Sequence, residues 1–104
     1  MGFDATYSCL ESVSIAPTMG RPVVGAEAFT ASGEYWKPYP CSMKAQGDWA
    51  LCFGINCFKF HTYQHQPSMT DKPGMTMCGF YGVNWHRNQT WWPMVDSYHR
   101  DLTR

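Results

Sequence analysis

The sequence predicts an α/β fold in which three helices alternate with two strands. Apolar residues recur at helical spacing in three segments, residues 23–29 and 57–63 have the composition of strands, and one of the helices separates the two strands. Two strands joined through a helix are expected to lie parallel. Because two strands and three helices neither close a barrel nor complete a doubly wound sheet, we expect the chain to be part of a larger α/β domain, with open strand edges through which it can self-associate.

The composition indicates a folded chain without a highly charged partner. The 104 residues include eight basic and eight acidic side chains, whereas a protein that binds nucleic acid or an anionic membrane would have a basic excess. No segment has the pattern of a secretion signal or the length of a membrane span. Aromatic residues make up 16% of the chain, so we expect a core built from aromatic, methionine and cysteine side chains. The five cysteines include no C-x-x-C pair, which disfavours a disulfide framework or a zinc knuckle.

The first predicted elements are a helix and a strand. Cys9 and Val13 belong to a set of small apolar residues at helical spacing within residues 4–16, and Pro17 follows them. Residues 23–29 are almost wholly apolar, as is typical of a strand covered on both faces. This second pattern favours a parallel sheet.

A second helix and a second strand follow. Apolar residues share one helical face within residues 42–53, and Gly54 can supply the left-handed conformation that ends a helix. Residues 57–63 alternate aromatic and polar side chains, which predicts a strand.

A long loop and a last helix complete the chain. Residues 67–83 have no usable periodicity and predict a loop, of a length that is usually functional in a compact domain. Trp91, Val95, Tyr98 and Leu102 then recur at helical spacing. Thr90 is the expected N-cap of this helix, and Pro93 is tolerated in its first turn.

Glu27 is the candidate catalytic residue. It lies close to the end of an apolar strand, where burial of an unpaired carboxylate would be costly. In a barrel of alternating strands and helices, a residue at the carboxyl end of a strand faces the active site, where a carboxylate can act as an acid or base. The alternative is a structural carboxylate bonded to backbone amides or to an arginine.

Two histidines and two tryptophans are candidate ligand-binding residues. His61 and His65 lie at and beyond the end of the second strand, about 13 Å apart if the segment is extended, which disfavours a shared metal. They can instead bind ligand hydroxyls, or they are ordinary structural histidines. Trp36 and Trp85 lie in predicted loops and offer flat faces on which sugars stack, whereas Trp91 belongs to the core stripe of the last helix.

Several consecutive motifs resemble one known family. They are PVVGAEAFT at residues 22–30, KAQGDWA at 44–50, FHTYQHQP at 60–67, PGMTM at 73–77 and QTWW at 89–92. In this order they resemble the later part of the catalytic barrel in bacterial α-L-rhamnosidases of glycoside hydrolase family 106. The resemblance extends from about residue 10 to the C-terminus.

The resemblance implies a fold, an activity and a role for Glu27. It implies that residues 1–104 are a single partial domain at the C-terminal end of a (β/α)8 (TIM) barrel, comprising the last two strands with their flanking helices. It also implies an inverting glycosidase that removes terminal α-L-rhamnose from plant polysaccharides or glycosides, with calcium near the sugar hydroxyls, and full-length relatives in the periplasm or outside the cell. Glu27 matches the position of an acidic residue in the family, which suggests that it is the water-activating base. The general acid would come from an earlier strand outside this sequence, so we expect the isolated chain to be inactive.

Two other hypotheses are compatible with the residues. The first is a small carbohydrate-binding module that uses Trp36, Trp85 and the histidines, although such a module would normally be an antiparallel sandwich of many short strands. The second is an unrelated helical protein whose aromatic residues only pack against each other.

Overall fold

The computed structural model describes residues 5–30, 32–33, 36–72, 74–75 and 83–102. The elements are α1 (Ala5–Thr18), β1 (Gly25–Ala28), α2 (Pro40–Cys52), β2 (Cys57–Phe60) and α3 (Val95–Leu102), with a turn of 3-10 helix at Trp92–Met94 directly before α3. The predicted order of elements is confirmed, and both strands are shorter than predicted. The predicted loop over residues 67–83 contains no helix or strand in its described parts. No described helix is both long and apolar enough to cross a membrane.

The two strands form a parallel sheet, as predicted. Gly25, Ala26, Glu27 and Ala28 lie opposite Cys57, Phe58, Lys59 and Phe60, in that order. The parallel pair and the helices between and beside it make the described architecture α/β.

Asn56, directly before β2, fixes the register of the two strands by bonding to the segment that precedes β1. Its Oδ1 accepts a hydrogen bond of 2.8 Å from the Val24 N–H, and its Nδ2 donates one of 2.8 Å to the Pro22 carbonyl. The backbone N–H groups of Asn56 and Cys57 also donate to the Val24 carbonyl, at 3.0 and 3.2 Å. One side chain therefore joins the segment before β1 to the start of β2.

The sheet has one covered face and one open face. Ala28, Phe58 and Phe60 pack against the core, whereas Glu27 and Lys59 are exposed on the other face. The covered face meets α2 and α3 in a largely aromatic cluster, as the composition predicted. The buried members of this cluster are Phe29, Met43, Val83, Trp85, Trp91, Val95, Tyr98 and Leu102.

The helices α2 and α3 contact each other at Gly47. A Cβ atom on Gly47 would lie 2.9 Å from Leu102 Cδ2 and 3.2 Å from the Tyr98 hydroxyl oxygen. The missing side chain therefore allows the close approach that completes the core. Helix α2 begins two residues earlier than predicted, at Pro40, where the Tyr39 N–H donates to Ser42 Oγ at 3.1 Å.

The prediction that Thr90 caps the last helix is wrong. The chain enters α3 through the 3-10 turn, with Trp91 at its N-cap position and no side-chain hydrogen bond there. Pro93 lies in this first turn, where its missing N–H removes no intrahelical bond. The buried stripe Val95, Tyr98 and Leu102 is confirmed.

Helix α1 lies on the surface and has no fully buried residue. Its half-buried Val13 approaches Gly54, where a Cβ atom would lie 3.0 Å from Val13 Cγ1. Gly54 has a φ of +94°, which confirms the left-handed residue predicted after α2. The expectation of buried cysteines is wrong for the four described ones, because Cys41 and Cys52 are exposed and Cys9 and Cys57 are half-buried. Cys78 lies outside the described residues.

Candidate active site at the carboxyl ends of the strands

Glu27 lies on the open face of the sheet, one residue before β1 ends. The expectation that its carboxylate is buried is wrong, because β1 turns Ala26 and Ala28 toward the core and Glu27 away from it. Its partner in register is Lys59, which is also exposed. The Thr30 hydroxyl donates a hydrogen bond of 3.3 Å to Glu27 Oε1. The carboxylate is therefore accessible from solvent, with a cationic side chain on the neighbouring strand.

A strained residue ends β1 and orients the chain beside Glu27. Phe29 has a φ of +65°, a conformation that is costly for a bulky side chain. Its ring is 4% exposed and stacks on Phe58 and Phe60 with centroid distances of 5.9 and 5.8 Å. The packing of this ring compensates for the backbone strain and places Thr30 next to the carboxylate.

A cavity of about 380 Å³ opens beyond the end of β1. Phe29, Met43 and Val83 supply its apolar wall, while Thr30 and Gln46 are among its polar lining. A volume of this order lies within the range of about 300–1,000 Å³ typical of small-molecule sites. Thr30 lines this cavity and also contacts Glu27, whose carboxylate is not itself among the lining residues.

The backbone after β2 pairs with a later segment of the chain. The Thr62 N–H donates to the Val83 carbonyl at 2.8 Å, and the Val83 N–H donates to the His61 carbonyl at 2.8 Å. The Trp85 N–H donates to the Thr62 carbonyl at 3.1 Å. These bonds extend the covered layer past β2 and hold His61 half-buried, with an Nδ1 atom that has no hydrogen-bond partner among the described residues.

His65 lies apart from His61, in an open cleft that also contains His86. The cleft has a volume of about 360 Å³ and is lined by residues of the loop after β2 and by His86, Arg87 and Asn88. His86 and Arg87 are not among the site residues predicted from the sequence. The polar residues that follow the buried Val83 and Trp85 could have indicated a binding segment. The sequence pattern does not show, however, that this segment pairs with the backbone after β2.

The two candidate tryptophans differ in accessibility. Trp36 is half-buried in the connection between β1 and α2. Trp85 is only 3% exposed, because it packs against Phe60 at 4.4 Å and edge-on against Trp91 at 5.4 Å between ring centroids. The expectation that Trp85 offers a free face to a sugar is therefore corrected to a core position. Trp91, 6% exposed, belongs to the core as predicted.

Three titratable groups among the described residues have shifted pKa values: the exposed Lys44, whose pKa is raised by its hydrogen bond to Asp48, and the core residues Tyr98 and His99. Burial, together with the charge of Asp48, raises the pKa of Tyr98 to about 12. Burial lowers the pKa of His99, and the charge of Asp96 partly opposes this shift. The His99 ring stacks on Phe60 at 4.6 Å, so it acts as one more aromatic member of the core.

Metal-ligating side chains are not clustered in the described part of the chain. This part contains no group of three or more histidine, cysteine, aspartate or glutamate side chains that could hold a metal ion. Carboxylates are the usual protein ligands of calcium, together with carbonyl oxygens. The described residues therefore do not by themselves fit the calcium site that the family resemblance implies.

A carboxylate at the carboxyl end of a parallel strand, with helices on the opposite face, is the arrangement of α/β enzymes. Residues 4–104 match the family model of α-L-rhamnosidase, glycoside hydrolase family 106, and the chain belongs to this family. A protein of Formosa agariphila named "Putative beta-glucuronidase" is 43% identical over 79 residues, which are 76% of this chain and 6% of that relative. The matched stretch is thus a small part of the relative's length. No solved structure matches the chain.

Proposed function

We propose that this chain forms the last two strands of a (β/α)8 glycosidase barrel that removes terminal α-L-rhamnose with inversion, and that Glu27 is its general base. Membership of glycoside hydrolase family 106 supports the reaction class. The placement of Glu27 is the structural observation that supports its role. The carboxylate lies at the carboxyl end of β1 on the face turned away from α2 and α3, which would be the inner face of a barrel.

In the proposed mechanism, Glu27 is one of the two catalytic carboxyl groups. In an inverting glycosidase, one carboxylic acid protonates the leaving oxygen while a carboxylate about 6.5–9.5 Å away removes a proton from the attacking water. Glu27 would accept that proton, and the Thr30 hydroxyl would orient Oε1. Lys59, opposite in register, would keep positive charge near the carboxylate as the substrate binds.

We propose that the second carboxyl group, the general acid, comes from an earlier strand of the barrel. A general acid and a general base act together on one substrate, so a chain that supplies only the base is expected to be inactive. No step is assigned to calcium, because the described residues do not hold a metal-binding cluster.

The fold of the described residues disfavours the binding-module hypothesis. They form one parallel strand pair instead of an antiparallel sandwich, and Trp85 is buried. The other residues of that hypothesis include the half-buried Trp36 and the exposed His65.

A chimera tests the proposal. In an active α-L-rhamnosidase of the family, the segment aligned with residues 4–104 is replaced by this chain, and release of aryl alcohol from an aryl α-L-rhamnoside is measured. Glu27→Gln is expected to lower kcat by about 10²–10⁴-fold, the usual contribution of a general base. Glu11→Gln, an exposed acid on α1, is the matched control and should leave kcat unchanged. A folded chimera without activity, or one in which Glu27→Gln retains activity, would contradict the proposal.

A further inference from the structure

A second cleft, which we call the β2 cleft, lies beyond the carboxyl end of β2. One wall is the loop that includes Tyr63, His65 and Lys72, and the other is the turn His86, Arg87 and Asn88. Since β1 and β2 are parallel, this cleft and Glu27 lie at the same end of the sheet. A ligand bound at Glu27 could therefore extend toward the β2 cleft.

Hydrogen bonds within the loop hold the walls in place. The Met75 N–H donates to Gln66 Oε1 at 2.6 Å, and Gln66 Nε2 donates to the Met75 carbonyl at 2.8 Å. The Asp71 N–H donates to Ser68 Oγ at 3.1 Å. Across the cleft, Lys72 Nζ donates to Asn88 Oδ1, which joins the two walls. The β2 cleft is thus formed before any ligand arrives.

Basic side chains predominate among the ionisable residues that line the β2 cleft. Lys72 and Arg87 line it, with His65 and His86 beside them, and its described lining residues include no aspartate or glutamate. The chain as a whole has equal numbers of acidic and basic side chains, so this local excess of cations is not a consequence of composition. Such a cleft favours a ligand that bears a negative charge.

The remaining lining groups suit a sugar ring more than a bare anion. Tyr63 is 63% exposed, and its ring lies 5.6 Å from that of His86, which leaves aromatic surface on which a sugar can stack. His86 Nδ1 accepts a hydrogen bond of 3.1 Å from the Asn88 N–H. In the neutral ring the proton then resides on Nε2, which can donate to a sugar hydroxyl.

We propose that the β2 cleft binds a uronic acid, the sugar to which the terminal rhamnose is attached, and that Lys72 and Arg87 recognise its carboxylate. Arginine forms two parallel hydrogen bonds with a carboxylate, while lysine contributes a point charge. Tyr63 and His86 contact the ring and its hydroxyls. The assignment of the uronic acid to the leaving-group side rests on the proposed function, whereas its binding in the cleft rests on the cleft alone.

Binding is tested by titrating the chain at low ionic strength with sodium glucuronate, glucose or sodium acetate, followed by protein NMR or calorimetry. Glucuronate is expected to bind at least about tenfold more tightly than either other ligand, because it alone offers both a carboxylate for Lys72 and Arg87 and a sugar ring for Tyr63 and His86. The double variant Lys72→Gln/Arg87→Gln should lose about tenfold in affinity for glucuronate. Arg21→Gln is the matched control, because Arg21 precedes β1 at the opposite end of the sheet.

Each alternative result overturns the assignment. Equal binding of glucose would show that the cations are not used, and equal binding of acetate would show a site for small anions only. Unchanged affinity in the double variant would place the ligand elsewhere. The same titration is made on the chimera, because the isolated chain can fail to bind for lack of folding. Near-UV circular dichroism measures whether each protein is folded. Absence of glucuronate binding to the folded chimera overturns the proposal.

The chimera also separates this proposal from the proposed function. If aryl rhamnoside is hydrolysed but glucuronate does not bind, the uronic acid site is wrong and the catalytic assignment survives. If glucuronate binds but Glu27→Gln has no effect on hydrolysis, the catalytic assignment is wrong and the cleft survives.

Discussion

Tyr98 is a buried polar residue whose hydroxyl group has no hydrogen-bond partner among the described residues. It is 7% exposed and lies at the contact between α2 and α3. Burial raises its pKa because the charged phenolate would lose its hydration. This single group therefore links the stability of the core to pH.

The expected effect of Tyr98 is a loss of stability in alkaline solution. The folded phenol ionises at about 12, compared with 10.0 for an unperturbed tyrosine, so the unfolded chain releases this proton first. The stabilising contribution is complete below pH 10 and decreases as pH rises toward 12. Tyr98→Phe should remove this part of the pH dependence, measured by urea unfolding at several pH values. An identical alkaline slope in both proteins would contradict the interpretation.

Asn56 gives a second prediction at the scale of one residue. Asn56→Ala removes two hydrogen bonds, each contributing about 0.5–1.5 kcal/mol, and should lower the free energy of unfolding by about 1–3 kcal/mol. Asn56→Asp keeps the acceptor for the Val24 N–H but loses the donor to Pro22, so a smaller loss is expected. Urea unfolding at one fixed protein concentration measures both, because self-association adds to apparent stability. Equal stability of all three proteins would show that the side chain does not fix the register.

At the scale of elements, the contact between α2 and α3 depends on the absence of a side chain at Gly47. Alanine is about 1 kcal/mol more favourable than glycine inside a helix. Here, however, the added Cβ would lie 2.9 Å from Leu102 Cδ2, in a core where Leu102 is 4% exposed. We expect the steric cost to exceed the helical gain.

Gly47→Ala should therefore destabilise the chain by about 1–3 kcal/mol, the range found for overpacked cores. Leu102→Ala should cost less in the Gly47→Ala background than alone, because it removes the clashing methyl group. A double-mutant cycle measured by urea unfolding detects this coupling. A stabilised Gly47→Ala variant would show that the two helices do not approach each other at this point.

The elements also show what the sequence could predict. Periodicity and composition gave the order of helices and strands, and the βαβ rule gave the parallel pairing, because these properties are local or follow from chain connection. The exposure of Glu27 and Lys59 was not predictable, since it depends on which face of the sheet the two helices cover. The burial of Trp85 and the inclusion of His86 in a cleft depend on backbone pairing between residues 61–62 and 83–85, which have no shared sequence pattern.

At the scale of the molecule, the chain exposes more surface than a typical monomer of its mass. The exposed area is 7321 Å², against about 5,900 Å² expected for a folded monomer of 11.9 kDa. The radius of gyration is 15.3 Å, compared with about 13 Å for a compact domain of this length. The proposal that a complete barrel covers the open sheet face and the strand edges would account for an exposed surface of this kind.

The isolated chain should therefore self-associate or remain loosely packed. Exposed apolar side chains such as Ile15, Met19 and Val23 are 52%, 68% and 61% accessible, and unpaired strand edges favour association. We expect concentration-dependent sedimentation and binding of a hydrophobic dye. A monomer with a sharp, concentration-independent thermal transition would show that the chain is a self-sufficient domain.

The central claim, that Glu27 activates water in a completed rhamnosidase barrel, is tested most directly by azide rescue of a Glu27→Ala chimera. Azide needs no base, so it can attack the anomeric carbon in place of water while the intact general acid protonates the leaving oxygen. Azide is expected to restore turnover of the aryl α-L-rhamnoside, and the product is expected to be the β-L-rhamnosyl azide, identified by proton NMR. A Glu27→Ala chimera that hydrolyses the rhamnoside as fast as the parent chimera without azide would contradict the claim.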